Sequence, residues 1–161
     1  MRLTFLFITL FLTVITGCKS KSAFDYSQKL VSIEKSLVPD IKETEDKVAE
    51  FFTNKQYDSA AAVSQRMEDK VENKIKEVRA MDAPKVAEAE NFKQAYLKYF
   101  SYIKSVYTTY REYAQQTTDE DREKVRQQML DIEKEKQTAV TEMQQTQAKF
   151  AKANGFRLET K

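Results

Sequence analysis

Residues 92–113 read FKQAYLKYFSYIKSVYTTYREY, and their apolar side chains recur with the period of an α-helix. An unbroken 4-3-4-3-4-3 spacing joins Phe92, Tyr96, Tyr99, Ile103, Val106, Tyr110 and Tyr113. This spacing is typical of a coiled-coil-like seam. The seam is widened by Leu97, Phe100 and Tyr107 on one flank and by Tyr102 on the other. A face this broad contacts two neighbouring helices, so we expect this helix to be the central one.

The composition of the rest of the chain also favours helices. The 161 residues include two glycines and two prolines, and 32% of them are charged. Hairpins depend on turns that contain glycine, whereas Lys, Glu, Gln and Ala are good helix formers. We therefore predict an all-α fold with helices over about 24–53, 56–81, 84–115 and 119–153. Short connections make sequence neighbours antiparallel, which predicts an up-down four-helix bundle with long helices.

Two segments leave alternatives open. Pro39 falls inside the first helix, where a proline removes a backbone hydrogen bond. The helix is therefore either kinked at Pro39, which we favour, or divided in two near Val38. Residues 54–60, NKQYDSA, look like the turn and helix start of a tetratricopeptide repeat, but such repeats use helices about half as long and no second copy follows.

Several residues predict where helices begin and end. Asp82 is a candidate N-cap for the third helix, with Pro84 in the first turn. Thr118 followed by Asp121 resembles a capping box with Asp in place of Glu, at the start of the fourth helix. Asn154-Gly155 predicts its C-cap.

The fourth helix has a thinner apolar stripe than the third. Lys136 and Gln147 interrupt it, so we expect this helix to pack less tightly or to contribute a polar contact surface. Phe156 and Leu158 are placed to fold back on its end.

The first residues have the pattern of a secretory signal peptide. Arg2 precedes an apolar run over 3–15 that is shorter than the roughly 20 residues that cross a bilayer. The sequence Ile15-Thr16-Gly17-Cys18 resembles the lipobox of bacterial lipoproteins, and Cys18 is the only cysteine. The resemblance implies cleavage between Gly17 and Cys18 and lipid attachment to Cys18. We therefore divide the chain into a signal peptide (1–17), a lipidated cysteine with a short tether (18–23) and a helical domain (24–161).

The chain after Cys18 resembles, in composition and architecture, the small helical lipoproteins of many diderm bacteria. In those proteins an Asp directly after the lipidated cysteine favours retention in the inner membrane. Lys19 stands at that position here, so the resemblance implies a lipid anchor in the outer membrane. Periplasmic and surface-exposed orientations both remain open.

Composition argues against catalysis. The chain has no histidine, which excludes Ser–His, Cys–His and His-ligated metal sites, and Gly155 alone remains after the signal peptide, which excludes a phosphate-cradling loop. Acidic runs such as Glu43–Asp46 are expected to be solvated surface. Without Arg2, 26 basic side chains balance 25 acidic ones, which argues against nucleic-acid binding. We expect a protein that is not an enzyme, with no metal and no cofactor besides the covalent lipid.

The tyrosines are the remaining candidates for function. Six of the eight lie between Tyr96 and Tyr113, and core packing is their ordinary role. Tyr102 and Tyr107 lie off the seam, so they are the candidate face for a partner or ligand.

Two functions follow from this pattern. The first is a protein-interaction module that binds an envelope partner, which requires a solid core and an exposed apolar strip. The alternative is a carrier for a lipid-like, aromatic or carbohydrate molecule, which requires a cavity of several hundred Å³ lined by Tyr and Phe. Both functions are compatible with any oligomeric state.

Overall fold

The computed structural model describes residues 18–158, which form four packed helices and, within that range, no strand. The helices are α1 (Cys18–Thr53), α2 (Tyr57–Ala80), α3 (Ala89–Gln115) and α4 (Asp119–Ala153). The predicted all-α four-helix bundle is confirmed. None of these four helices combines the length and apolarity needed to cross a bilayer.

Ring contacts establish the helix directions. Tyr26, near the start of α1, contacts Phe92 at the start of α3 and Phe150 at the end of α4. At the opposite end, Phe52 of α1 contacts Tyr113 of α3. Helices α1 and α3 therefore run in one direction and α2 and α4 in the other.

Helix α3 is the central element, as its seam predicts. Ile103 is 1% exposed, and the whole seam from Phe92 to Val106 is buried. On one side α3 packs on α2, where the Lys104 Nζ–Glu72 Oε2 distance is 2.9 Å. On the other side it packs on α4.

Helix α1 differs from its predicted form at its beginning. It is a single helix through Pro39, which rules out two separate helices. It already includes residues 18–23, so the expectation of a separate tether over these residues is wrong. These residues are helical because Ala23 is fully buried in the core and Phe24 contacts Phe156, while Lys19, Lys21 and Ser22 are exposed.

The loop between α1 and α2 lies where it was predicted, over residues 54–56. Lys55 adopts a left-handed conformation with φ of 56°. The Gln56 amide donates to the Phe51 carbonyl at 2.8 Å, which closes the end of α1. The helices that meet here have 36 and 24 residues, which are too long for a tetratricopeptide repeat.

Helix α3 begins five residues later than predicted, at Ala89 rather than Pro84. The N-cap is Glu88, with φ of 62°, so the assignment of Asp82 as N-cap is wrong. The reason is a contact from further along the chain: Lys93 Nζ donates to the Met81 carbonyl at 2.6 Å. Lys93 thus caps the end of α2 and keeps the following loop out of the helix.

Both predicted ends of α4 are confirmed. Thr118 Oγ1 accepts a hydrogen bond from the Asp121 amide at 3.1 Å. At the other end Gly155 has φ of 71°, and the Phe156 amide donates to the Ala151 carbonyl at 3.1 Å. This geometry folds Phe156 back, and its ring is 4% exposed. Leu158 also packs against the core.

The thinner stripe of α4 is confirmed by its burial. Lys136 and Gln147 are only half-buried. The buried residues among its 35 are Val125, Ala139, Met143, Phe150 and Ala151. Helix α4 therefore covers α3 fully at one end and incompletely at the other.

Candidate functional site

The lipid-attachment residues fall at the edge of the described chain. Ile15, Thr16 and Gly17, together with the side chain of Cys18, lie outside the described part of the structure. Cleavage before Cys18 and its lipidation therefore stay predictions. The structure contributes one relevant fact, which is that the backbone at Cys18 is already helical.

Tyr102 and Tyr107 are not at the edge of the bundle. They are 5% and 0% exposed, so the expectation that they form a surface face is wrong. The pattern of α3 shows which residues are apolar but not how far α1 and α4 extend over them. Neither hydroxyl has a hydrogen-bond partner within the described chain. A surface partner cannot contact these two rings, and any ligand would have to meet them inside the bundle.

A mostly apolar opening lies between α1 and α4, with α3 as its floor. We call it the α1/α4 groove; its volume is about 290 Å³. Its lining is Glu45, Val48, Ala49 and Phe52 of α1, Tyr110 and Tyr113 of α3, and Arg126, Met129 and Leu130 of α4. Seven of these nine side chains are apolar or aromatic, so the groove suits an apolar occupant.

The aromatic wall of the groove is held by ring contacts. Phe52 and Tyr113 have centroids 5.1 Å apart at 71°, and Phe52 and Tyr110 lie 6.2 Å apart at 83°. These edge-to-face arrangements are favourable for aromatic pairs. Burial, assisted by the charge of Glu45, raises the pKa of Tyr110 to about 12, so its hydroxyl stays neutral. The wall is therefore formed before any ligand arrives.

Glu45 is the one carboxylate that lines the groove. Its Oε1 is buried and accepts no hydrogen bond. Burial raises the pKa of Glu45 to about 7; the nearby charges of Asp46 and Glu133 add to this effect, and that of Lys136 opposes it. Glu45 therefore changes its protonation near neutral pH, unlike an ordinary surface carboxylate.

The rim of the groove combines a paired charge with an exposed apolar side chain. Arg126 donates to both carboxylate oxygens of Glu123, each at 2.6 Å. Leu130 is 37% exposed, more than any other large apolar side chain of residues 18–158. The described surface therefore carries a single apolar rim residue rather than an apolar strip.

The spacing of the apolar stripe of α1 indicates that Glu45 points inward. Ile41, Glu45, Val48 and Phe52 follow a 4-3-4 spacing, so Glu45 occupies an inward position of the α1 stripe. The expectation that the acidic run Glu43–Asp46 is solvated fails at Glu45, which is half-buried. A carboxylate at an apolar seam position indicates a buried charge.

Other parts of the described chain offer weaker sites. Two further hollows, one near Lys104 and one near Lys19, are more open and polar-lined. Residues 18–158 contain no group of three or more His, Cys, Asp or Glu side chains placed to hold a metal ion. Comparison with protein-family models, curated proteins and solved structures finds no match to this chain.

Proposed function

We propose that this chain is a non-enzymatic lipoprotein of the bacterial cell envelope, anchored in the outer membrane by lipid on Cys18, and that its bundle binds a small amphiphilic molecule. The observation that carries the binding function is the α1/α4 groove of about 290 Å³. Ligand sites typically have volumes of about 300–1,000 Å³ and mostly apolar walls with a few polar groups. The groove lies at the lower end of that range, which suits a small ligand.

The energetics of the groove support an apolar ligand. Each Å² of apolar surface that leaves water contributes about 25 cal/mol. Phe52, Tyr110 and Tyr113 already contact one another, so ligand binding needs little reordering of side chains. The burial of an aromatic or short aliphatic ligand in this groove would therefore contribute to affinity with little loss to the ordering of side chains.

A protein-interaction module is the second candidate, supported by Leu130. This residue is both a lining residue of the groove and the exposed apolar side chain of the rim. A partner protein could pack on Leu130 while it inserts one side chain into the groove. Replacing Leu130 with Ser would then weaken capture of that partner from solubilised envelope.

Filling the groove tests the ligand-binding function. Ala49 lines the groove and Ala62 is an exposed alanine on α2, so Ala49→Phe and Ala62→Phe are matched variants. The full chain in phosphatidylcholine nanodiscs is titrated calorimetrically with 4-phenylbutanol, and the signal of empty nanodiscs is subtracted. We expect saturable binding that Ala49→Phe weakens by at least about tenfold, a change of about 1.4 kcal/mol, and that Ala62→Phe preserves. Absence of saturable binding to the unmodified chain would contradict the proposal.

The anchor is tested separately at Cys18. Radiolabelled palmitate should be incorporated into the unmodified chain, and the labelled protein should sediment with the outer membrane on a density gradient. The Cys18→Ser variant should not be labelled. The Ser variant should also leave the membrane fraction, because two or three acyl chains provide the stable attachment. A Ser variant that stays firmly bound to membranes would show that the lipobox interpretation is wrong.

A further inference from the structure

We propose that the α1/α4 groove selects ligands that carry an ammonium group, with the Glu45 carboxylate as counter-ion and the aromatic wall around the apolar body. This inference rests on the proposed ligand-binding function and adds the chemical class of the ligand. Three observations carry it: the balance of charges around Glu45, its unpartnered oxygen, and the rings beside it.

The charged groups around Glu45 include one more carboxylate than cation. Helix α4 contributes Glu133 and Lys136, whose Oε1 and Nζ lie 3.6 Å apart. On α1, Asp46 turns outward and pairs with Lys42 at 2.9 Å on the exposed surface. Apart from the Arg126–Glu123 and Lys42–Asp46 pairs, the charged groups around Glu45 in the described chain are two carboxylates, Glu45 and Glu133, and one ammonium, Lys136. A ligand cation would balance the second carboxylate.

The remaining groups that face Glu45 do not supply that cation. Burial raises the pKa of Tyr102, Tyr107 and Tyr110 of α3, so all three stay neutral. Arg126 lines the groove, but its guanidinium makes a two-point contact with Glu123 of its own helix. This two-point contact holds the Arg126 guanidinium at the rim, where its charge is balanced by Glu123.

The unpartnered oxygen shows that no group of residues 18–158 neutralises the whole carboxylate. Glu45 Oε1 is buried without a donor there, and a buried acceptor in that state costs free energy. Glu45 lines the groove, so an ammonium bound there supplies a charge-assisted hydrogen bond to the carboxylate. Phe52 and Tyr110 also line the groove, and aromatic rings attract cations.

These features predict an order of affinity among ligands of similar shape that differ in charge. An ammonium is attracted to the ionised Glu45, an alcohol can only exchange a neutral hydrogen bond, and a carboxylate is repelled. Three compounds have the required matching shapes: 4-phenylbutylamine, 4-phenylbutanol and 4-phenylbutyrate. The amine should bind best and the carboxylate worst.

The same ranking should depend on pH in a defined direction. The pKa of Glu45 is about 7 in the unliganded bundle. Protonation of Glu45 removes the counter-ion, so amine affinity should rise from about pH 6 to about pH 8 and then level off, while the amine itself stays protonated. Alcohol affinity should not rise over this interval.

The experiment is calorimetric titration of the full chain in phosphatidylcholine nanodiscs at about pH 8, where Glu45 is mostly ionised. We expect the amine to bind at least about tenfold tighter than the alcohol, as a hydrogen bond to a charged group predicts. Glu45→Gln should abolish this preference, so that the amine binds no tighter than the alcohol. Glu50→Gln, at an exposed position of the same helix, should retain it.

The outcomes separate the inference from the function on which it rests. Equal affinity for amine and alcohol, or a preference that survives Glu45→Gln, overturns the ammonium selectivity while the groove remains a ligand site. Saturable binding of none of the three compounds overturns the proposed function as well. The pH series uses the unmodified chain, so a flat amine affinity between about pH 6 and about pH 8 contradicts the inference even if Glu45→Gln folds poorly.

Discussion

Helix α3 passes through two regions that have similar sequences and opposite environments. At its start, which we call the closed end, Phe92 stacks on Phe150 at 4.7 Å and contacts Tyr26. At its finish, which we call the open end, Tyr110 and Tyr113 are only half-buried and line the α1/α4 groove. Both ends continue the same seam. The difference therefore comes from the helices around α3.

Helix α4 is the main source of the contrast. At the closed end it contributes Phe150 and Ala151, both buried. At the open end it contributes one buried side chain, Val125, whereas Met129, Leu130 and, further along, Lys136 are not buried. An apolar seam on one helix shows where a core can form, but the facing helix determines whether that core is filled.

The largest expected effect is loss of the ring at the closed end. Phe150 is fully buried, so Phe150→Ala should lower the free energy of unfolding by about 3–5 kcal/mol, as for other large-to-small core changes. Met129→Ala, on the same helix at the groove, should cost about 1 kcal/mol or less. Urea denaturation measures both. Similar losses at the two sites would remove the distinction between the ends.

Hydroxyl deletion should sharpen the comparison along α3. Tyr96 Oη donates to Glu34 Oε2 at 3.0 Å, and burial raises the pKa of Glu34. Tyr96→Phe leaves this carboxyl without its donor and should cost about 1–3 kcal/mol. Tyr102→Phe removes a hydroxyl with no partner in the described chain and should change stability by about 0.5 kcal/mol or less. A larger loss at Tyr102 than at Tyr96 would contradict this reading of the two sites.

The charge at the open end should make stability depend on pH. Glu45 has a pKa of about 7 in the folded chain, above the roughly 4.3 of an unfolded glutamate. The folded state therefore holds the proton more tightly, and its contribution to stability is complete below the unfolded pKa and lost as pH rises through about 7.

Glu45→Gln is neutral at all pH values, so it should raise Tm at about pH 8 and have little effect at about pH 4. Glu50→Gln, an exposed position of α1, should change Tm little at either pH. Thermal melts followed by circular dichroism give both values. If Glu45→Gln raised Tm equally at the two pH values, the folded state would not be raising the pKa of Glu45.

The smallest expected effect is a gain at the loop of the open end. Lys55 has a φ of 56°, a conformation that glycine adopts without strain. Lys55→Gly should therefore stabilise the bundle by about 0.5–1 kcal/mol in urea denaturation. Lys42→Gly, in the interior of α1, should destabilise by about the same amount. Destabilisation at both positions would show that the Lys55 side chain contributes more than its backbone costs.

Local chemistry explains which parts of the fold were predictable. Thr118 and Gly155 bond to groups within five residues, so their capping roles can be read from the sequence. The start of α3 depends instead on Lys93, which reaches back 12 residues to the Met81 carbonyl. No local pattern reports such a contact.

The candidate site follows the same rule. The seam predicts Tyr110 and Tyr113 as apolar positions, and the spacing of the α1 stripe contains Glu45. The groove itself forms because α1 and α4 leave the end of α3 partly uncovered. That depends on the lateral positions of three helices, which the sequence of each one does not specify.

The start of α1 at Cys18 limits where the groove can be. If Cys18 is lipidated, an unstructured tether would allow the domain to take any orientation relative to the membrane. A helix that includes the lipidated residue allows the domain only to tilt about the anchor. Twenty-seven residues of continuous helix separate Cys18 from Glu45, a distance of about 40 Å at the rise of an α-helix. With lipid on Cys18, the groove would therefore move on an arc of that radius about the anchor. It would meet molecules that lie between the headgroups and that height.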